Sequence, residues 1–244
     1  MPGQLPDGFA ITAPELPRPV FTHQYWRDLT LLHWPVAPGA IEHLYPPGTR
    51  PDVFTDGTTY VGLVPFAMSE VTLGVGRPIP YFGRFLETNV RLYSTDDAGR
   101  HGVLFRSLET SRLMVVPATR IGMGVPYTWA KMRLTRDGTR LSYASVRRLP
   151  RRGPRTLVTV DVGEVVEPTP LEIWLTARWG AHTRKGGRTW WVPNAHVPFP
   201  FHSADVLALD DDLVAAGGVE PTGEHLRALY SPGVRARFGR PSAL

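Results

Sequence analysis

Cysteine is missing from all 244 residues, which removes disulfide scaffolds, thiolate nucleophiles, iron–sulfur clusters and cysteine-ligated zinc. Lysine is nearly missing too: 25 of the 27 cationic residues are arginine, leaving Lys131 and Lys185 as the only side-chain amines. Arginine stays protonated at any working pH, so it clamps anions but neither shuttles protons nor forms a Schiff base. No apolar run approaches the ~18 residues of a membrane-spanning helix. The opening MPGQLPDGFA has neither a basic start nor an apolar stretch, so no secretory signal is expected and the protein reads as cytoplasmic, with no membrane partner.

Familiar catalytic motifs are equally scarce. The full dinucleotide glycine fingerprint and the phosphate-loop lysine are absent, so Gly74-Val75-Gly76 and Gly122-Met123-Gly124 read as turns. No serine sits in a nucleophile elbow. Eight histidines are scattered from His23 to His225 without the short spacing that sets two imidazoles on one metal. Neither a metal nor a cofactor is expected, and His196, inside HVPFPF, reads as a structural residue.

What is present is a chain that folds. Hydrophobic residues make up 42% and charged residues 20%, outside the range of intrinsic disorder. The net charge is +5, and the densest basic stretch is Arg147, Arg148, Arg151, Arg152 and Arg155. Pro150, Gly153 and Pro154 interrupt it as they would a solvated connection between strands, so nucleic-acid binding is the least favoured reading.

With 25 prolines and 24 glycines punctuating short apolar runs, the pattern predicts strands and turns over long helices. Strands are expected at Leu29 to Val36, Thr59 to Met68, Arg84 to Ser94, Val103 to Glu109, Tyr127 to Thr135, Thr139 to Arg147, Leu157 to Val162 and Thr189 to Val192. Asp137-Gly138 joins the clearest hairpin. Helices are expected at Pro38 to Leu44, at Ser111 to Ile121 across Pro117, and at Pro170 to Trp179, where Thr169 can cap. The reading is one mainly β (α+β) domain over 20–235, with a flexible or surface-hugging arm at 1–19 and a flexible tail at 236–244.

The segment from Arg84 to Tyr93 is the most informative. At period two, Glu87, Asn89, Arg91 and Tyr93 share one face and Leu86, Val90 and Leu92 the other. The polar face is either wet or lines a cavity. If it is buried, Glu87 and Arg91 lie ~13 Å apart along the strand and each needs another partner. Burial would raise the pKa of Glu87 and make it a general acid or base.

The segments YWRDLTLLHWPV, PDVFTDGTTYVGLVPFAM, FLETNVRLYSTDDAGRHGVLFRSLE, GVPYTWAKM, LTARW and HVPFPF, in this order over roughly Tyr25 to Phe201, resemble the YqjF-like family of uncharacterised bacterial proteins, the domain of unknown function numbered 2071. That family is more remotely similar to acetoacetate decarboxylase. The resemblance implies an antiparallel β cone or barrel with an internal cavity and two or three outer helices. In the decarboxylases a lysine pair after a proline supplies the Schiff-base amine. Here that proline falls at Pro126, followed by Tyr127 and Thr128, so the resemblance implies a retained pocket without its lysines. Lys131 is the only lysine nearby. Glu87 resembles the decarboxylases' cavity glutamate, and the place of their cavity arginine falls near His33 or Trp34.

Three functions fit. In the first, a small-molecule enzyme acts on a keto acid or carbonyl compound by decarboxylation, dehydration, isomerisation or cyclisation. Glu87 moves a proton, Arg91 or Arg106 holds a carboxylate, Asn89, His33 and Trp34 contribute to substrate binding, and Tyr127 donates a hydrogen bond to a developing oxyanion. This reading expects Glu87 buried in the largest cavity beside another polar side chain. The second is a non-catalytic binding protein that uses the same cavity, and the third a nucleic-acid or surface binder. A small molecule is the expected partner, and a homo-oligomer is allowed for.

Overall fold

The structure is a computed structural model that describes residues 3–74, 77–81, 83–149 and 152–244. In chain order its elements begin with β1 (Thr22–Val36), α1 (Pro38–Ile41), β2 (Thr49–Pro51), β3 (Thr59–Leu73), β4 (Arg84–Asp96) and β5 (His101–Thr110). Then come α2 (Val115–Met123), β6 (Tyr127–Asp137), β7 (Arg140–Leu149), β8 (Arg155–Val165), α3 (Pro170–Thr176) and β9 (Gly180–Lys185). The chain ends with β10 (Arg188–Ala195), β11 (His202–Asp211), α4 (Leu213–Ala216), β12 (Leu229–Phe238) and β13 (Ser242–Ala243). The expected strands fall within these to one residue, and Asp137 pairs with Arg140 across Gly138, whose φ is +59°. None of the described helices is long and apolar enough to cross a membrane.

One local reading needs correction. Gly122-Met123-Gly124 is not a turn between strands: Gly122 and Met123 end α2, and Gly124 caps it at φ +68°, with its N–H on the Arg120 carbonyl. A Cβ at Gly124 would stand 2.5 Å from the Arg184 carbonyl oxygen, so only glycine fits. Pro117 does not break the helix because it lies in its first turn, where N–H groups have no intrahelical acceptor. The Gly74-Val75-Gly76 motif, and Pro150 with Arg151, lie partly or wholly outside the described residues.

Helix α3 starts where Thr169 makes a full capping box: the Thr169 hydroxyl accepts from the Glu172 N–H at 3.3 Å, and the Glu172 carboxylate accepts from the Thr169 N–H at 2.7 Å. Thr169→Ala is expected to destabilise the protein by about 1 kcal/mol, read from urea unfolding.

The thirteen strands form one sheet in the order β13-β10-β9-β5-β6-β7-β8-β11-β12-β1-β3-β4-β2, and pairings β5–β4 and β10–β12 close it on itself twice. One circuit is β5-β6-β7-β8-β11-β12-β1-β3-β4; the other is β10-β9-β5-β4-β3-β1-β12. Among the described residues, only β5–β6 and β5–β9 pair in parallel. Because β12, β1, β3, β4 and β5 belong to both circuits, each face of that shared section is turned inward. On one face Leu32, Leu63, Val90 and Leu92 pack with Leu141, Tyr143, Val158 and Val160. On the other, Val64, Phe66, Leu108 and Tyr127 form a second cluster, and Tyr60 and Tyr93 meet Trp174 and Ala181 in a third. A strand buried on both faces loses the simple alternation of a half-wet strand, which is why β3 is apolar through Tyr60–Phe66.

At the ends of the chain, Leu5 and Phe9 pack against the third cluster and the Trp179 indole donates to the Ala10 carbonyl at 2.7 Å. Strand β12 runs to Phe238, and β13 pairs with β10.

Candidate active site

The polar face of β4 is turned inward. Register places Phe66, Val64 and Gly62 of β3 opposite Glu87, Asn89 and Arg91, and His33 of β1 opposite Gly62. Gly62 is needed there: a Cβ would stand 3.1 Å from His33 Cδ2 and 3.3 Å from Arg91 Cγ, so its absence lets ring and guanidinium stem share the space.

Glu87 is 3% exposed. Its Oε2 accepts the Tyr127 hydroxyl at 2.7 Å and its Oε1 accepts Asn89 Nδ2 at 3.4 Å. Burial pushes the Glu87 pKa up to about 7, against the pull of those two hydrogen bonds. Burial, and then the Glu87 charge, hold Tyr127 well above the usual phenol range, so it remains a donor. Tyr127 therefore directs its proton to Glu87 in this structure.

Further along the face, the Tyr93 hydroxyl lies 2.7 Å from His33 Nε2. Arg91 lies over the Tyr93 ring at 5.9 Å, and its Nε and Nη2 are buried with no hydrogen-bond partner among the described residues. Burial first, and then the Arg91 charge, hold His33 well below the usual imidazole range and bring His196 down to about 4. Both imidazoles are neutral at pH 7. The His196 ring packs against Trp179, Phe199 and Trp26.

Two expected residues are elsewhere. Arg106 is the extra residue of a bulge, since Phe105 pairs with Arg91 and Ser107 with Val90. It lies on the opposite side, where its Nε donates to the Gly217 carbonyl at 2.9 Å. Trp34 alternates with His33 and packs on the first cluster. Lys131 and Lys185 are both exposed.

Sequence reasoning passed over Arg178, which reaches this face from the segment after α3. It is buried, pairs with Asp52 and lies 4.0 Å over the Trp174 ring and 4.8 Å over that of Tyr93. Its place inside LTARW was the available signal. Asp52 also bonds His101 Nδ1 at 2.7 Å. A separate chain joins Ser94 Oγ to His182 Nδ1 at 2.8 Å and His182 Nε2 to Asp96 at 3.0 Å. All three residues are at most 1% exposed, so this serine–histidine–aspartate line pins β4 to β9 and offers no nucleophile to a substrate.

Two surface grooves, of ≈ 650 Å³ and ≈ 370 Å³, are lined by other residues, and Glu87 borders neither. Glu87 has the expected polar neighbours, Tyr127 and Asn89, and lies on the β4 face that carries the cluster of Val64, Phe66, Phe85 and Leu108.

The fold is similar to that of solved acetoacetate decarboxylase-like proteins. An acetoacetate decarboxylase from Legionella pneumophila superposes with a TM-score of 0.61 at 11% identity, over 97% of this chain and 93% of that one. The enduracididine biosynthesis enzyme MppR complexed with pyruvate gives 0.62 at 14%, over 97% and 93%. Within that fold, the chain belongs to the DUF2071 family, described as uncharacterized conserved protein, which matches residues 23–235. It is 24% identical to the uncharacterized protein YqjF of Bacillus subtilis (strain 168) over 198 residues, 80% of this chain and 81% of that protein.

Proposed function

We propose that this protein is a small-molecule enzyme acting on a keto acid or carbonyl compound by acid–base and electrostatic catalysis, without a Schiff-base amine. The observation that carries the reading is the buried Glu87 with its pKa at about 7, fixed on one oxygen by Tyr127. At neutral pH such a group is divided between acid and base, the condition under which proton transfer is most effective. Oε2 is committed to Tyr127, so Oε1, held only by the longer Asn89 contact, takes the proton from the carbon beside the substrate carbonyl. The C–H electron pair moves into the enolate, whose oxygen is met by the Asn89 amide. The unpartnered nitrogens of Arg91 hold the substrate carboxylate.

Both lysines are exposed, which favours an amine-free route. Borohydride added during incubation with 2-oxo and 3-oxo acids is expected to leave Lys131 and Lys185 unmodified by mass spectrometry; a reduced adduct on either would establish imine chemistry. The reading itself is tested by proton NMR in D₂O, following deuterium entry beside the carbonyl of a panel of keto acids. Faster exchange than in buffer for at least one supports it. A panel in which acids bind but none exchanges or turns over establishes the alternative, a non-catalytic binding protein, which the close packing around Glu87 favours.

A further inference from the structure

We propose that the ≈ 650 Å³ groove on the outside of β6 and β7 is a second binding site, for a small amphiphilic anion with a flat apolar body and a phosphate or carboxylate head. It is independent of the Glu87 site.

The sheet topology makes the groove. Strand β6 pairs with β5 only over Tyr127–Trp129, while β7 follows it from Trp129 to Asp137. Beyond Trp129 the two neighbours diverge. There the β6–β7 register slips: Trp129 faces Leu149 and Ala130 faces Arg147, so Arg148 is the inserted residue. The slip separates the fates of two adjacent arginines. Arg147 is tied to the fully buried Glu109 at 2.5 Å. Arg148 is turned into the groove with Lys131 and Arg152.

Three features point to the ligand class. First, the lining holds three cations and no carboxylate, and none of the three has an ion-pair partner among the described residues. Some surface arginines elsewhere do have carboxylate partners, as with Arg155 on Asp210 and Asp212 and Arg235 on Glu70. Second, the floor is apolar, built from Trp129, Met132 and Leu149. The half-buried Trp129 ring has no aromatic or cation partner among the described residues, which leaves a face for stacking. Third, the basic stretch that suggested nucleic acid is not a run of free charge: Arg147 and Arg155 are consumed by ion pairs, and of its described arginines Arg148 and Arg152 line this groove. A compact anion fits that arrangement; a polyanion backbone needs a longer track.

The test uses the seven tryptophan indole N–H signals of the full chain, titrated with 2-naphthyl phosphate, 2-naphthoate and neutral 2-naphthol. The two anions separate a phosphate from a carboxylate preference. The Trp129 signal, assigned by its loss in Trp129→Phe, is expected to move saturably with an anion, and naphthol to bind about tenfold more weakly. Lys131→Gln with Arg148→Gln is expected to weaken the anion by about 2- to 5-fold per charge removed. The other six indole signals report that the variant is folded. Glu87→Gln is expected to leave this binding unchanged, which separates its failure from failure of the enzymatic reading. The proposal is overturned if Trp129 does not move, if only Trp26 or Trp179 moves, if naphthol binds as well as the anions, or if a DNA or RNA duplex displaces the anion at equal phosphate concentration.

Discussion

Glu87→Gln is expected to lower turnover of the protein's keto substrate by about 10²–10⁴-fold, the usual contribution of a positioned acid or base. The substitution keeps the volume and hydrogen-bonding reach of the side chain but removes the group that titrates. In the wild type, kcat/KM rises with pH through about 7 as the Glu87 carboxylate forms. The residual rate of the variant lacks that limb. A limb that survives the substitution, or undiminished turnover, would remove Glu87 from the chemistry.

The same group leaves a signature in stability. Its folded pKa, about 7, lies above the ordinary 4.5. The protein therefore holds the proton more tightly than the unfolded chain does, and the associated stability is complete below pH 4.5 and lost as pH rises through 7. The full change is about 3 kcal/mol. His33 and His196 act with the opposite sign: their folded pKa values are depressed, so their contribution is present above 6.5 and lost as pH falls. The difference between wild type and Glu87→Gln isolates the carboxylate, and urea unfolding between pH 4.5 and 8 measures it.

Asp52→Ala is expected to cost about 3–5 kcal/mol, because it strands a buried guanidinium. Asp52 and Arg178 are 4% and 3% exposed, and burial already drags the Arg178 pKa below its ordinary value, with Asp52 the main force opposing it. Phe9, Tyr93 and Trp174 give the cation ring faces, but these do not replace a carboxylate. Asp52→Ala combined with Arg178→Met should recover much of the loss, since no uncompensated charge remains. Calorimetry of the two singles and the double reads both numbers. A single-variant loss below 1 kcal/mol would show that water, not Asp52, neutralises Arg178.

The positions of these groups were only partly legible in the sequence. Strand β4 was recognisable with its register, and Glu87, Asn89, Arg91 and Tyr93 were rightly placed on one face, because alternation is a local property of the backbone. Strand β12 was not recognised: Pro232 and Gly233 interrupt it, and both usually mark turns. In the fold Gly233 sits opposite Arg27 at φ +131°, where a Cβ would fall 2.0 Å from the Trp26 carbonyl oxygen, so the interruption is how β12 pairs with β1. Arg106 and Trp34 lie away from the Glu87 face for related reasons. A bulge moves Arg106 to the opposite side, and simple alternation separates Trp34 from His33.

From the sequence alone came the absence of thiols, the near absence of amines, the mainly β class, the capped α3, the family resemblance and the grouping of the β4 side chains. Each depends on composition or on neighbours within a few residues. The tertiary structure decided that the β4 acid, amide and guanidinium are turned inward, that Tyr127 meets Glu87 from forty residues away, and that Arg178 joins the same face. Those outcomes depend on which strands close the two circuits, and strand closure is a property of long-range pairing that no local period encodes.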